Sequence, residues 1–240
     1  VPRLMLTVFV ASLVSVLKVF VLCGAGVWLA HRGILNEAVR RGLSRVILGV
    51  MLPGLLLTKL SENASAENLA AWAVLPAMAP VYILLGFAVS LLIRSLARTP
   101  AEHGRVVSAA TAFGNSGYLP IPLVAAVAAS APLFADDPRA AGRGIAYVSV
   151  YLVVMSPLLW GVAYPYLSGR SFRSLKWRQV LSPPVAAALG GVLLGVVPPL
   201  RAGFVSPGAP GRVLWDAAAL AGEGAIPCAL LVLGANIRAE

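Results

Sequence analysis

Ala112-Phe113-Gly114-Asn115-Ser116-Gly117-Tyr118-Leu119-Pro120-Ile121-Pro122 lies inside an apolar run, Val106 to Ala131, that is long enough to cross a bilayer, yet its residues break a helix. Pro120 and Pro122 supply no backbone N–H and clash with the preceding turn, so the carbonyls of Ser116 and Tyr118, four residues back from each, lose their helical partners. Hydrocarbon offers nothing to replace them. A break at membrane depth persists where neighbouring protein satisfies it or where it lines a polar cavity, and many transporters hold substrate at such a break.

The surrounding composition agrees with a membrane setting. Of the 240 residues 59% are hydrophobic and 12% charged, with a mean hydropathy of +0.87; a soluble globule would carry about a quarter charged residues. The net charge of +10 does not point to nucleic acid, because the 19 Lys and Arg fall almost entirely in short connectors with no aromatic-basic face. Cys23 and Cys228 sit inside apolar runs and read as packing residues. His31 and His103 lie in connectors without Cys or acidic neighbours at ligand spacing. No metal, cofactor or catalytic set is therefore expected, and the first apolar run is too long for a cleavable signal peptide.

Seven stretches reach spanning length, given that roughly 20 apolar residues cross the hydrocarbon core. They run near Leu4 to Ala30, Arg45 to Leu60, Leu69 to Leu96, Val106 to Ala131, Ile145 to Leu167, Val180 to Leu200 and Val213 to Ile237. Pro76, Pro80 and Gly86 in the third suggest a kink or a packing site. Lys and Arg on alternate sides set the orientation. Arg32, Arg40, Arg41, Arg45, Arg94, Arg98, Arg105, Arg170, Arg173, Lys176, Arg178 and Arg238 fall on one side, against Arg3, Lys59, Arg139, Arg143, Arg201 and Arg212 on the other. This places the N-terminus outside or in the lumen and the C-terminus of this chain in the cytosol. Asn63-Ala64-Ser65 is a glycosylation sequon, but its connector is short enough that it is expected to stay unmodified.

An internal repeat shows through the pattern. Leu52-Pro53-Gly54-Leu55-Leu56-Leu57 aligns with Ile226-Pro227-Cys228-Ala229-Leu230-Leu231 at an offset of 174 residues, 227 less 53, and the same offset lays the first span on the sixth. A repeat unit of five spans is odd, so successive copies enter the membrane from opposite sides. The counterpart of Asn115 would fall near position 289, 115 plus 174, so the second repeat's remaining helices are expected to be missing from this sequence.

Asn115 leads the candidate residues, since an amide offers both donors and an acceptor. It could hold a carboxylate while the half-helix starting at Pro120 to Pro122 aims its positive dipole end at the same anion, or the freed carbonyls could coordinate a cation. Gly114 and Gly117 allow close approach, and Ser116 and Tyr118 complete the candidate substrate-binding set. Tyr147 and Tyr151, four apart in the fifth span, are accessory candidates whose alternative is packing. Lys18 either faces a wet cavity or snorkels from a shifted first span. Asp216 and Glu223, seven apart, share a helical face and read as interfacial acids or, less favoured, a relay. Gly191-x-x-x-Gly195 permits close helix approach, including in a homodimer.

AFGNSGYLPIPLV (112–124), the preceding LARTPAEHGRVVSAATAFGN (96–115), VMLPGLLLTKLS (50–61) and the closing IPCALLVLGANI (226–237) resemble the auxin efflux carrier family, nearest its plant and algal PIN-LIKES branch, over nearly the whole chain. The resemblance implies an inverted-repeat fold of ten spans, with a scaffold from spans one, two, six and seven and a transport domain from the rest. The fourth and ninth spans of such proteins cross at proline breaks. On that pattern Asn115 matches the residue that binds the substrate carboxylate and Pro122 the crossover proline, while Pro120 stands where relatives often have Gly. The acid that PIN-branch carriers place on the third span has no counterpart here, since Leu69 to Leu96 contains no Asp or Glu.

The expectation is thus an all-α polytopic membrane protein, an inverted-repeat fold truncated after about seven spans. Residues 1–60 hold scaffold helices one and two, 61–169 transport helices three to five, and 170–240 scaffold helices six and seven. Its expected function is secondary transport of small organic anions, auxin-like carboxylates by resemblance; the alternative is a non-transporting scaffold or regulator that pairs with a complete carrier. The expected partners are the bilayer, the anion and a second copy through the scaffold helices, with no nucleic acid. The expected membrane is the endoplasmic reticulum, with the plasma membrane as alternative.

Overall fold

Apolar periodicity and proline placement together decide where each helix starts and stops. The structure is a computed structural model and describes residues 2–114, 116, 119–169 and 181–237. Among these it is entirely helical, without strands. Helix α1 (Pro2–His31) ends at a turn through Gly33, whose φ of +74° suits glycine. Asn36 then caps α2 (Glu37–Val46), its side chain accepting from the Val39 N–H at 3.0 Å. A π-helical turn, Ile47–Met51, leads into α3 (Leu52–Asn63). That wider turn relieves the clash Pro53 would make with the carbonyl four residues before it. The same device, Leu159–Ala163, precedes Pro165 where α8 (Ala140–Leu158) passes into α9 (Tyr164–Ser168).

The third span is α4 (Ala66–Trp72) followed by α5 (Val74–Leu96). A turn at Ala73 puts Pro76 in the first turn of α5, where a missing N–H is harmless, so only Pro80 lies inside the helix. Ser65 and Asn68 form a capping box at the start of α4. In the stretch expected as the fourth span, α6 (Gly104–Ala112) stops and α7 (Pro120–Ser130) starts anew. Neither half spans alone, being about 14 and 17 Å long at 1.5 Å per residue.

The sixth span departs from its expected form. Its expected start at Val180 lies outside the described residues, and the rod does not run straight to Leu200. Helix α10 (Pro183–Val196) ends at an extended Val197, and α11 (Pro198–Leu200) with the π-turn Arg201–Val205 is bent away by 98°. Two consecutive prolines, Pro198 and Pro199, withhold the N–H groups that would carry the helix on. The seventh span is α12 (Arg212–Glu223) and α13 (Ala225–Ile237), joined at Gly224.

Four rods are long and apolar enough to cross a bilayer: Glu37–Asn63, Ala66–Leu96, Ala140–Ser168 and Arg212–Ile237, with the bent α10–α11 pair a fifth. Their outer faces are apolar, with Leu84 and Leu91 on α5 more than 60% exposed. Such a belt is stable against lipid, not water, and the protein is an integral membrane protein.

The core joins α3, α8, α10 and α13 through Leu56, Leu60, Ala146, Ala188 and Ala225, all nearly inaccessible. Small residues set the approach. A Cβ added at Gly191 would stand 2.6 Å from the Leu57 carbonyl oxygen, and one at Gly195 2.8 Å from that of Ala64. The small-residue spacing in α10 is therefore used within the chain, against α3. On the other side of the molecule Gly26 of α1 meets the Leu231 carbonyl of α13 in the same manner. Polar groups within this core are paired: Trp215 Nε1 donates to Ser61 Oγ at 2.8 Å, and Ser61 Oγ donates to the Thr58 carbonyl at 3.0 Å. Arg201 Nη1 donates to the carbonyls of Ser61, Ala64 and Gly195, placing a cation at the C-terminal ends of α3 and α10.

Candidate substrate cavity at the interrupted helix

The last turn of α6 is pinned to α5 by a glycine. At Gly86 an added Cβ would fall 2.5 Å from the Ala112 Cα, so the two backbones touch there. Phe113, which follows, leaves helical geometry (φ −117°, ψ 80°) and sets its ring edge-on to Phe87 at 6.0 Å; Phe87 in turn meets Tyr166 of α9 at 5.6 Å. The chain is thus anchored by aromatic contacts just where it breaks. Ser116 Oγ donates to the Gly114 carbonyl at 3.1 Å, which satisfies one main-chain acceptor released by the interruption.

On the far side α7 begins at Leu119 without a side-chain cap. Prolines at its first and third positions leave Ile121 as the one N–H donor among residues 120 to 122. This reduces the polar demand of a buried helix start, and it also means that a single main-chain donor accompanies the positive dipole end. Ile121 and Pro122 are buried.

The break opens onto a cavity of about 760 Å³. Phe113, Gly114, Ser116, Ile121 and Pro122 form one wall, and Leu152, Met155, Ser156 and Tyr164 of α8 and α9 a second. The π-turn and α3, the start of α10 and the first turns of α13 supply Ile47, Leu56, Ala188 and Ala229 opposite. Its volume lies within the range of small-molecule sites. Among the described residues that line it none is charged, and the polar side chains are the hydroxyls of Ser116, Ser156, Tyr164 and Ser182. Such a space suits a ligand with an apolar body and a small polar group.

Of the residues singled out from sequence, Gly114, Ser116 and Pro122 line this cavity, and Pro120 opens α7 beside it. Asn115, Gly117 and Tyr118 lie outside the described residues. Tyr151 O–H donates to Met155 Sδ at 3.7 Å and its ring stands near Tyr82, centroids 6.5 Å apart; it is absent from the cavity wall. Tyr147 is directed elsewhere, edge-on to Trp72 at 5.3 Å, and is absent from the cavity wall. Lys18 is exposed on α1, away from the cavity. Asp216 is paired with Arg212 at 2.8 Å. The sequon residue Asn63 donates its amide to the Lys59 carbonyl at 2.8 Å, and Ala64 beside it is buried. Ser156, Tyr164 and Ser182 were not among the expected residues. Two of them carry a signal, a serine directly before proline: Ser156-Pro157 in the middle of the fifth apolar run and Ser182-Pro183 at the edge of the sixth.

Bilayer-length rods around a solute-sized cavity that reaches an interrupted helix define an integral membrane protein with room for a small solute. Comparison with known proteins agrees: the chain belongs to the membrane transport protein family, whose model matches residues 11–175 and 169–240. This is a transport family, not an enzyme family. The curated proteins to which the chain is similar include several from Arabidopsis thaliana. It is 22% identical to Protein PIN-LIKES 1 over 97% of this chain and 59% of that protein. It is 21% identical to Protein PIN-LIKES 3 over 97% of this chain and 72% of that one. With Protein PIN-LIKES 2 the identity is 30%, over 64% of this chain and 34% of the relative. The match thus spans from about a third to nearly three quarters of these relatives' lengths. No solved structure matches the chain.

Proposed function

We propose that this chain forms the greater part of a secondary carrier for small organic anions, auxin-like carboxylates being the class its family resemblance suggests. In this reading substrate binds in the cavity at the fourth-span break. Asn115 and the Ile121 N–H meet the carboxylate, Gly114, Gly117, Ser116 and Tyr118 shape the approach, and the apolar walls hold the ring. Access alternates by movement of a transport unit, residues 61–169, against a scaffold of residues 1–60 and 170–240. The carrying observation is that the broken helix lines a neutral, solute-sized cavity bounded on its other side by α3, α10 and α13.

The order of elements along the chain supports an inverted repeat. A shift of 174 residues carries α2, its π-turn and α3 onto α12, Gly224 and α13, with Pro53 on Pro227 and Leu57 on Leu231. The Leu57 carbonyl receives Gly191 of the sixth span, and the Leu231 carbonyl receives Gly26 of the first. At that offset the counterpart of Gly191 is Leu17, not Gly26, so the two glycine contacts are not equivalents and the repeat rests on the sequence correspondence. The basic connectors orient the N-terminus toward the lumen or exterior, and the PIN-LIKES relatives suggest the endoplasmic reticulum membrane.

The test is labelled indole-acetate flux in vesicles carrying the full-length protein, with and without Asn115→Ala. Flux that falls in the variant at equal protein level supports the assignment. Flux that is unchanged removes Asn115 from the mechanism.

A further inference from the structure

Helix α2 divides into two faces. Glu37, Arg40, Arg41, Ser44 and Arg45 recur at helical spacing on one side, and Val39, Gly42, Leu43 and Val46 on the other. The apolar side is partly outward, with Val39 43% and Val46 46% exposed. The polar side, together with Asn236 near the end of α13, encloses a recess of about 410 Å³. Because α2 opens the rod Glu37–Asn63 and Asn236 closes the rod Arg212–Ile237, this recess sits where two membrane-crossing rods end. That is the depth of lipid headgroups.

The charges in the recess are only partly used. Arg40 Nη1 donates to Asn236 Oδ1 at 2.8 Å and to the Ala235 carbonyl at 3.3 Å, which balances the negative end of α13. Its Nε is buried and has no hydrogen-bond partner among the described residues. Arg41 pairs with Glu37. Arg45 has no ion-pair partner among the described residues. Three arginines thus face one carboxylate, a local excess of two positive charges at the edge of the bilayer.

We propose that this recess is a binding site for the phosphate headgroup of an anionic phospholipid, with the acyl chains lying along the apolar side of α2. Arginine is suited to it, since its planar fork bonds phosphate oxygens in pairs. A headgroup there ties the start of the second span to the end of the seventh. The proposal does not depend on the cavity at the fourth-span break.

The experiment uses the full-length protein in detergent, with retained lipid counted by native mass spectrometry and thermal stability followed alongside. Dioctanoyl phosphatidylglycerol, dioctanoyl phosphatidylcholine and inorganic phosphate are added in separate arms. The expected result is retention of phosphatidylglycerol with a raised melting temperature, no such effect from phosphatidylcholine, and an affinity that falls about fivefold for each of Arg41→Gln and Arg45→Gln. Arg139→Gln, on a different connector, should bind as the parent does. Arg40 is left intact because it also holds α13. Equal retention of phosphatidylcholine, unchanged binding in the double variant, or an equal loss in Arg139→Gln overturns the proposal. A melting shift reproduced by inorganic phosphate alone also overturns it, since the site would then take a soluble anion.

Discussion

Replacing Gly191 by alanine tests whether the sixth span is seated on the second as closely as the structure shows. The new Cβ would lie 2.6 Å from the Leu57 carbonyl oxygen, 2.9 Å from the Leu60 Cβ and 3.1 Å from the Leu57 Cα. Restoring an ordinary contact of 3.4 Å to the oxygen requires a displacement of 0.8 Å, the difference between those values. The groups that must move are backbone and a core side chain, not the end of a flexible one. Overpacking of this kind costs about 1–3 kcal/mol. Gly190 is the matched control. Its added Cβ would meet only Leu57 Cδ1, at 3.4 Å. Both substitutions gain the same intrinsic helix propensity, about 1 kcal/mol, so the difference between the variants isolates the packing cost. At ~2–4 °C per kcal/mol for a chain of this size, Gly191→Ala should melt about 2–12 °C below Gly190→Ala. Melting of the purified protein in detergent, followed by loss of the monodisperse peak, reads this directly. Equal melting temperatures would refute the close seating of α10 on α3.

Three further outcomes follow from particular contacts. Ser61→Ala strands the buried Trp215 indole N–H and should cost about 1–3 kcal/mol; the double variant with Trp215→Phe should cost less than the two singles together, and strict additivity in a double-mutant cycle would contradict the bond. The Arg143 side chain bonded to Asp137 holds that carboxyl below its ordinary range. The folded pKa being the lower one, the stabilisation is complete above the ordinary carboxylate pKa and is lost as pH falls through the depressed value. An acid melting series should therefore show a loss in the parent that is reduced in Arg143→Gln, and identical slopes would contradict it. Ala229→Trp, on the cavity wall, should abolish most substrate flux while Val213→Trp, on an exposed face, should leave it unchanged; comparable flux in both would remove the cavity from the transport path.

The interruption of the fourth span was legible because Pro120 and Pro122 impose it locally, and it needs no tertiary information. Of the seven apolar stretches read from sequence, four form rods of crossing length among the described residues and the bent sixth gives a fifth, since membrane depth fixes the length of each run. Proline was less decisive where its position relative to a helix start mattered. Pro76 suggests a kink until a turn at Ala73 makes it a first-turn residue, whereas Pro198 and Pro199 bend the sixth span by 98° inside an apolar stretch that masks the bend. The cavity was only half visible. Gly114, Ser116 and Pro122 announce one wall, but Ser156, Tyr164 and Ser182 are brought to it by the packing of α8, α9 and α10, which no local pattern encodes. The tyrosine pair shows the limit well. Tyr147 and Tyr151 are one helical turn apart and equivalent in sequence, yet Tyr147 packs edge-on to Trp72 while Tyr151 packs against Tyr82 and Met155, and neither lines the cavity. Gly86 and Gly191 were likewise visible as small residues, while the backbone each receives is set by tertiary structure.

The central claim is that the broken fourth span opens to a solvated, substrate-sized space inside the protein. Its most direct measurement is thiol accessibility at Ser116→Cys, in a background where Cys23 and Cys228 are alanine, in native membranes. A charged, membrane-impermeant maleimide should modify Ser116→Cys and be slowed by indole acetate, while Leu84→Cys on the outward face of α5 stays unmodified in lipid. If Ser116→Cys proves as inert as Leu84→Cys, the break does not face a solvated cavity and the proposed site is wrong.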